Sequence, residues 1–329
     1  MEVYILQQNE DTPIVVDDFI SLRWRRKYYD IGEFELHLVN NRKNLEYVTR
    51  ELEPLVYFVG SVERGVVNYV QVNRDEIVLS GRMESGVMKK CVIQGMTGSN
   101  IEDQLGLLWW KWDPINRDYY ILCEQGTESS LVEYFYETQE ELIVKLAKSN
   151  NIGFYVIGND MYIYRGVDRS VSQNTVAPVV FDNDDLDSPI WEISTENYYD
   201  LAIAVGRDTN DNPVEVRVGD GDRQIFVDCQ STRQDENQTA SEYEAVLKQL
   251  GYMQLGKHKL TDSFEASVSP SARWTYGKDY TLGDIVTLQM REWGKSESFR
   301  VTEVEEIWEN GVYSVYPTFG DPLPEKITN

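Results

Sequence analysis

Short runs of alternating apolar and polar residues, each closed by turn residues, recur along most of this chain and constrain its fold more than any other feature. Val3–Leu6, Ile14–Val16, Phe19–Trp24, Glu33–Val39, Leu55–Val59, Val66–Val72 and Glu76–Ser80 give seven such segments near the start. A period of two fits a half-buried strand and is wrong for a helix. Tyr29-Asp30-Ile31-Gly32 is a turn signal between two of these runs, predicting a hairpin with a loop somewhat longer than two residues. The first region, residues 1–88, therefore reads as a twisted antiparallel sheet or small barrel.

The pattern changes over residues 89–180. Asn100 is placed to cap a helix over Ile101–Leu108, and Thr138 with Glu141 forms a capping box for Thr138–Lys148. Leu131, Val132, Phe135 and Tyr136 have helical spacing within Thr127–Tyr136. Gly153–Val156 and Asp160–Tyr164 flank Gly158-Asn159, a strand pair around a turn. This is a small mixed α/β insertion. An acidic linker, Phe181–Pro189, leads into a second β region, residues 181–262. Thr239 and Glu242 cap a helix over Ala240–Leu255 there, with Tyr243, Val246, Leu247 and Leu250 on its core face. Residues 263–329 are strand-rich again, and Asn310-Gly311 is a strong hairpin turn. The fold class is mainly β with α/β insertions. The two β regions look alike in pattern, as two related domains flanking an insertion would.

Charge narrows the function. With 31 Lys+Arg against 56 Asp+Glu the 329-residue chain carries −25. It repels the phosphates of free nucleic acid and an anionic membrane surface. No apolar run approaches the ~20 residues of a membrane helix, and Met1–Pro13 lacks the pattern of a secretory signal; synthesis in the cytosol is expected. Cys91, Cys123 and Cys229 are odd in number and widely spaced, which argues against a disulfide framework or zinc site.

Enzyme chemistry finds little to stand on. His37 sits within a strand and His258 in a basic turn, neither near a nucleophile elbow. HExxH, Walker A and GxGxxG motifs do not occur, and Gly219-Asp-Gly-Asp222 is too acidic for phosphate. Two acidic groups, Asp182, Asp184, Asp185 and Asp187, then Asp208 and Asp211, offer hard oxygen ligands of the kind calcium takes, but without the EF-hand order. A solvated linker accounts for the first group as well. No catalytic residue, cofactor or metal is expected. Trp109, Trp110 and Trp112 form an aromatic cluster suited to a core, a protein interface or a sugar-binding cleft.

Phe19-Ile-Ser-Leu-Arg-Trp-Arg-Arg-Lys-Tyr-Tyr-Asp-Ile-Gly-Glu-Phe-Glu-Leu36 resembles the opening of siphovirus tail-tip (baseplate) hub proteins, found in phages and prophages of Gram-positive hosts. Leu79-Ser-Gly-Arg-Met83 followed by Val87–Cys91 is similar to that family's Gly-Arg segment. Tyr280–Leu288, with its Leu282-Gly283-Asp284, is similar to a late strand of the family, and Val301–Ile307 with Gly311–Phe319 to its closing strand pair. The likeness runs over about residues 3–320, with residues 97–180 matched by position and character.

The resemblance implies two related β-barrel-like tube domains plus two smaller peripheral domains. It implies a homotrimer with pseudo-sixfold symmetry at the virion tail tip, contacting the distal tail protein and the tape-measure protein, with DNA passing through its lumen without specific binding. It extends to the hub region of tail-associated lysin and tail endopeptidase-like proteins, whose C-terminal hydrolase is not expected here because the chain stops where the hub should end. Two other functions compete: a receptor- or carbohydrate-binding module using Trp109, Trp110 and Trp112, and a cell-wall hydrolase using paired carboxylates.

Overall fold

The computed structural model describes residues 1–7, 12–49, 53–93, 97–98, 100–111, 113–126, 130–131 and 137–320. Its centre is one large sheet. In spatial order its strands are Leu186–Ser194, Thr261–Val268, Val312–Gly320, Lys295–Glu309, Phe19–Lys27, Glu33–Val39, Glu76–Met83, Gly65–Val72, Leu55–Phe58, Val3–Leu6 and Ile14–Val16. Every neighbouring pair along this path is antiparallel. Ile285–Met290 and Val180–Asp182 branch from the first half of Lys295–Glu309.

The alternation explains the pairing. Leu22 and Trp24 lie opposite Leu36 and Phe34, and all four are buried on one face. The sheet curls over that face until Phe58 touches both Trp24 and Trp308, with ring centroids 5.3 and 4.7 Å apart. The two turns anticipated within this sheet form. Residues 28–32 connect Phe19–Lys27 to Glu33–Val39, and Asn310 and Gly311, at φ 53° and 77°, form the tight turn between Glu309 and Val312. Two successive positive φ values favour Asn-Gly there, because other side chains strain in that region.

The small barrel is not what forms: among the described residues the sheet does not close on itself, and it ends in two unlike edges. The first strands also pair with the last, since Phe19–Lys27 runs antiparallel to Glu303–Glu309. The acidic linker is a second correction. Phe181–Pro189 is the end of one strand and the start of the next, joined by a tight turn at residues 183–185, with Asp185 and Leu186 buried. Arg273 reaches into it, 2.6 Å from Asp185 and 2.8 Å from Asp182. Burial works against the Asp185 charge, but Arg273 and backbone donors outweigh it and hold the carboxyl below its usual range. Those oxygens therefore serve an arginine.

The insertion packs helices Ile101–Trp110 and Gln139–Asn150 on a three-stranded sheet of Asp118–Ile121, Asp160–Tyr164 and Gly153–Ile157. Asn100 and the Thr138–Glu141 box cap the two helices. Of the helix anticipated over Thr127–Tyr136, Ser130–Leu131 instead pairs as strand with Thr97–Gly98, and the remainder lies outside the described residues. A helix at Arg42–Thr49 was not anticipated.

A second, smaller core lies between Ala240–Lys257 and the sheet of Leu201–Arg207, Pro213–Gly219 and Gln224–Arg233. Tyr243 and Leu247 point into it, and Leu250 is half-buried beside them. Thr239 accepts from the Glu242 amide, and Glu242 accepts from the Thr239 amide at 2.8 Å. Thr239→Ala should lower stability by about 1 kcal/mol, read as a shift in the urea midpoint with the slope unchanged.

Candidate functional site: a charged trough on the open face of the sheet

Alternation places Arg23, Arg25 and Lys27 on the face opposite Leu22 and Trp24. Across the hairpin it brings Glu33 and Glu35 to the same side, and across the junction with the last strands, Glu303 and Glu305. The face forms an open trough of about 880 Å³, continued by a second hollow of about 730 Å³ that shares Arg25 and Glu305.

Several of its charges are held in internal pairs. Arg25 bridges Glu33 at 3.0 Å and Glu305 at 3.3 Å, tying the first hairpin to the last strands. Arg82 holds Glu140 of the insertion with two contacts of 2.8 and 2.7 Å, and Arg64 holds Glu84 in the same way. Such two-point pairs fix geometry as well as charge. The net −25 of the chain thus coexists with a trough in which cations and carboxylates interleave.

His37, on this face, sits 2.9 Å from Glu35 and 3.1 Å from Glu76. Burial pulls its pKa down, but the two carboxylates outweigh this and raise it above the ordinary value. A raised folded-state value adds stability that is fully present below the unfolded pKa of about 6.5 and disappears as pH rises through the folded value. The stability gap between the wild type and His37→Gln should therefore be widest near pH 5.5 and should close toward pH 9, measured by urea unfolding at each pH.

Beneath the trough, at the root of the insertion, Arg26 and Glu63 form a buried pair at 2.7 Å, and Arg26 also reaches the Tyr276 hydroxyl at 3.3 Å. Burial opposes the Arg26 charge, but Glu63 outweighs it and the guanidinium is held above its usual pKa. Burial pushes Glu63 up even against Arg26. Nearby, Asp284 of the Leu282-Gly283-Asp284 motif is buried, accepting from the Val167 amide at 2.7 Å and pairing with Arg169 at 2.9 Å. It fastens the end of the insertion to the closing strands.

The two described tryptophans of the cluster differ in burial. Trp109 is 1% exposed, its indole N–H donates to the Asn159 carbonyl at 3.0 Å, and the Arg117 guanidinium lies 3.7 Å over its ring. Trp110 is 37% exposed, and Trp112 lies outside the described residues. His258 bonds the Asn197 carbonyl at 3.2 Å. Asp208 accepts from the backbone of its own loop, and Asp211 pairs with Arg207 and Arg233. The Arg25–Glu305 and Arg82–Glu140 pairs are not legible in the sequence because they join segments far apart in it, whereas Arg25–Glu33 lies within one hairpin. The local signal of the trough was the charge alternation of Arg23, Arg25 and Lys27 facing Glu33 and Glu35.

The chain matches the Siphovirus ReqiPepy6 Gp37-like protein family over residues 2–117 and 125–321. None of the curated proteins matches it. Among solved structures it is similar to a tail protein from Neisseria meningitidis MC58, at 14% identity and TM-score 0.60, covering 97% of this chain and 96% of that one. It is similar to the 43 kDa tail protein of prophage MuSo2 from Shewanella oneidensis, at 14% identity and TM-score 0.59, covering 97% and 98%. It is also similar to prophage tail protein gp18 from Listeria monocytogenes EGD-e, at 12% identity and TM-score 0.59, covering 98% and 95%. At such identities the likeness speaks for the fold, and the family match carries the rest: the chain belongs to the Siphovirus ReqiPepy6 Gp37-like family of siphovirus tail proteins and has the fold of phage and prophage tail proteins.

Proposed function

We propose that the protein is the trimeric hub of a siphovirus tail tip, joining the distal tail to the tip and lining the channel through which DNA leaves. It works by binding geometry, without catalysis, and its partners are its own copies, the distal tail protein and the tape-measure protein. Residues 1–88 supply one tube-like unit and residues 89–180 a peripheral insertion. The strands of residues 181–262 and 263–329 supply the second tube-like unit, with the helix Ala240–Lys257 and its sheet as the other peripheral part. The reading places the protein in the virion tail.

The observation that carries this reading is a repeat in strand order. Phe19–Lys27, Glu33–Val39, Glu76–Met83 and Gly65–Val72 lie side by side in the order first, second, fourth, third. Leu186–Ser194, Thr261–Val268, Val312–Gly320 and Lys295–Glu309 do the same. One chain thus offers two copies of one unit, which is what adapting a sixfold tube to a threefold tip needs. The interleaved trough charges suit a channel wall, because carboxylates set among the cations weaken their grip on phosphates.

Native mass spectrometry and class-averaged negative-stain images of the concentrated protein test this. A trimeric ring with a central channel is the expected result. Monomers at every concentration would overturn it.

A further inference from the structure

The repeat goes further than strand order. In each unit the third strand of the sequence has a neighbour from its own unit along only part of its outer side. Lys295–Glu309 pairs with Ile285–Met290 through its first half, and through its second half with Phe19–Lys27, the first strand of the other unit. Its counterpart Gly65–Val72 pairs with Leu55–Phe58 only through Gly65 and Val66. The rest of that edge, Asn68–Val72, has no strand beside it among the described residues, and Val70 and Val72 are 39% and 45% exposed. Both residues lie opposite buried positions of the adjacent strand, Leu79 and Ile77, so they stand on the core face. At the far end of the sheet Leu186–Ser194, the counterpart of Phe19–Lys27, also has one open edge among the described residues, and Ile190 and Ile193 are 54% and 52% exposed. Edges that expose apolar side chains in this way are templates for another strand.

We infer that these two half-edges are each other's partners in neighbouring copies: the end of Gly65–Val72 in one copy pairs antiparallel with the end of Leu186–Ser194 in the next, Gln71 and Val72 lying against Ser194 and Ile193, and so repeats between copies the junction that joins the two units within one chain. The inference rests on the trimeric reading and names its contact surface. The occupant is a second copy because the chain already contains this junction once, between the corresponding strands, and because the two free edges are unlike. Unlike edges pair head to tail, and such contacts form a ring where the rotation between copies closes. Three copies bring six units.

The bulges set the register. Gly65–Val72 shifts register between Val67 and Tyr69, and Lys295–Glu309 between Val301 and Glu303, so Val72 takes the place of Glu306. Phe19–Lys27 shifts between Phe19 and Ser21, and Leu186–Ser194 between Asp187 and Ile190, so Ile193 takes the place of Trp24. Glu306 faces Trp24, and Glu305 faces Arg25. Between copies, Val72 therefore faces Ile193 on the core side, and Gln71 faces Ser194 on the trough side. Ser188 at φ 50° and Pro189 block the first part of Leu186–Ser194 from pairing, which leaves Ile190–Ser194 as the usable edge.

The test is a double variant, Gln71→Cys with Ser194→Cys, oxidised with copper–phenanthroline. Within one chain these positions lie far apart along the sheet path, so a bond between them joins two copies. A covalent trimer on a non-reducing gel, absent from the wild type with its three native thiols and from each single variant, is the expected result. Val72→Asp and Ile193→Asp, folded by circular dichroism, should each shift the native mass from trimer to monomer. A wild-type trimer that neither cross-links nor responds to the two Asp variants would overturn this surface and leave the trimeric hub standing. A wild type that is monomeric at all concentrations would overturn both.

Discussion

Arg26→Met lowers the unfolding free energy by about 3–5 kcal/mol, read from urea unfolding at pH 7. The loss does not measure the worth of the ion pair. It arises because Glu63, with only 6% of its side chain exposed, is left as a carboxylate without its main counter-charge. Burial already pushes the Glu63 carboxyl up with Arg26 present; without the guanidinium it moves further, and the variant gains stability relative to wild type as the pH falls and Glu63 takes a proton. The double variant Arg26→Met with Glu63→Leu recovers most of the loss, since neither charge is then stranded. A single variant as stable as the wild type would show that water reaches the pair.

Tyr28→Ala has an effect of similar size, about 3–5 kcal/mol, by another route. Tyr28 has no exposed surface and stands where three parts meet. Its hydroxyl donates to the Asn151 carbonyl at 3.1 Å and accepts from the Gly166 amide at 3.2 Å. Its carbonyl accepts from the Phe154 amide of the insertion, and its amide donates to the Thr302 carbonyl at 2.8 Å. The ring lies so close to Gly153 and Gly283 that a Cβ on either would fall 2.2–2.3 Å from it. Truncation leaves a cavity that two glycines cannot fill. Tyr28→Phe keeps the ring and should cost only about 1 kcal/mol for the lost hydroxyl bonds. Comparison of the two variants by thermal unfolding separates packing from hydrogen bonding, and equal losses would refute the packing argument.

Much of the architecture was legible in the residues. Strands, turns and caps are local: alternation at Phe19–Trp24 and Glu33–Val39, Asn310-Gly311, and the Thr138–Glu141 and Thr239–Glu242 boxes each act within a few residues. The Arg42–Thr49 helix was not legible, since its short run lies among strands and begins without an acidic first turn. The apparent linker at Phe181–Pro189 was misleading for a related reason. Its carboxylates look solvated until Arg273, far along the chain, is brought against them.

The sequence by itself determined most of the strands and helices, which face of each strand is apolar, and that the two β regions share a pattern, because those properties depend on neighbours in the chain. Only the tertiary structure decided that the first and last strands join in one open sheet, that Arg25 bridges Glu33 and Glu305, that Trp109 turns inward, and that Asn68–Val72 and Ile190–Ser194 are left as free edges. Pairing between distant segments depends on which surfaces remain after every strand has found a neighbour, and that sum is over the whole fold rather than along the chain.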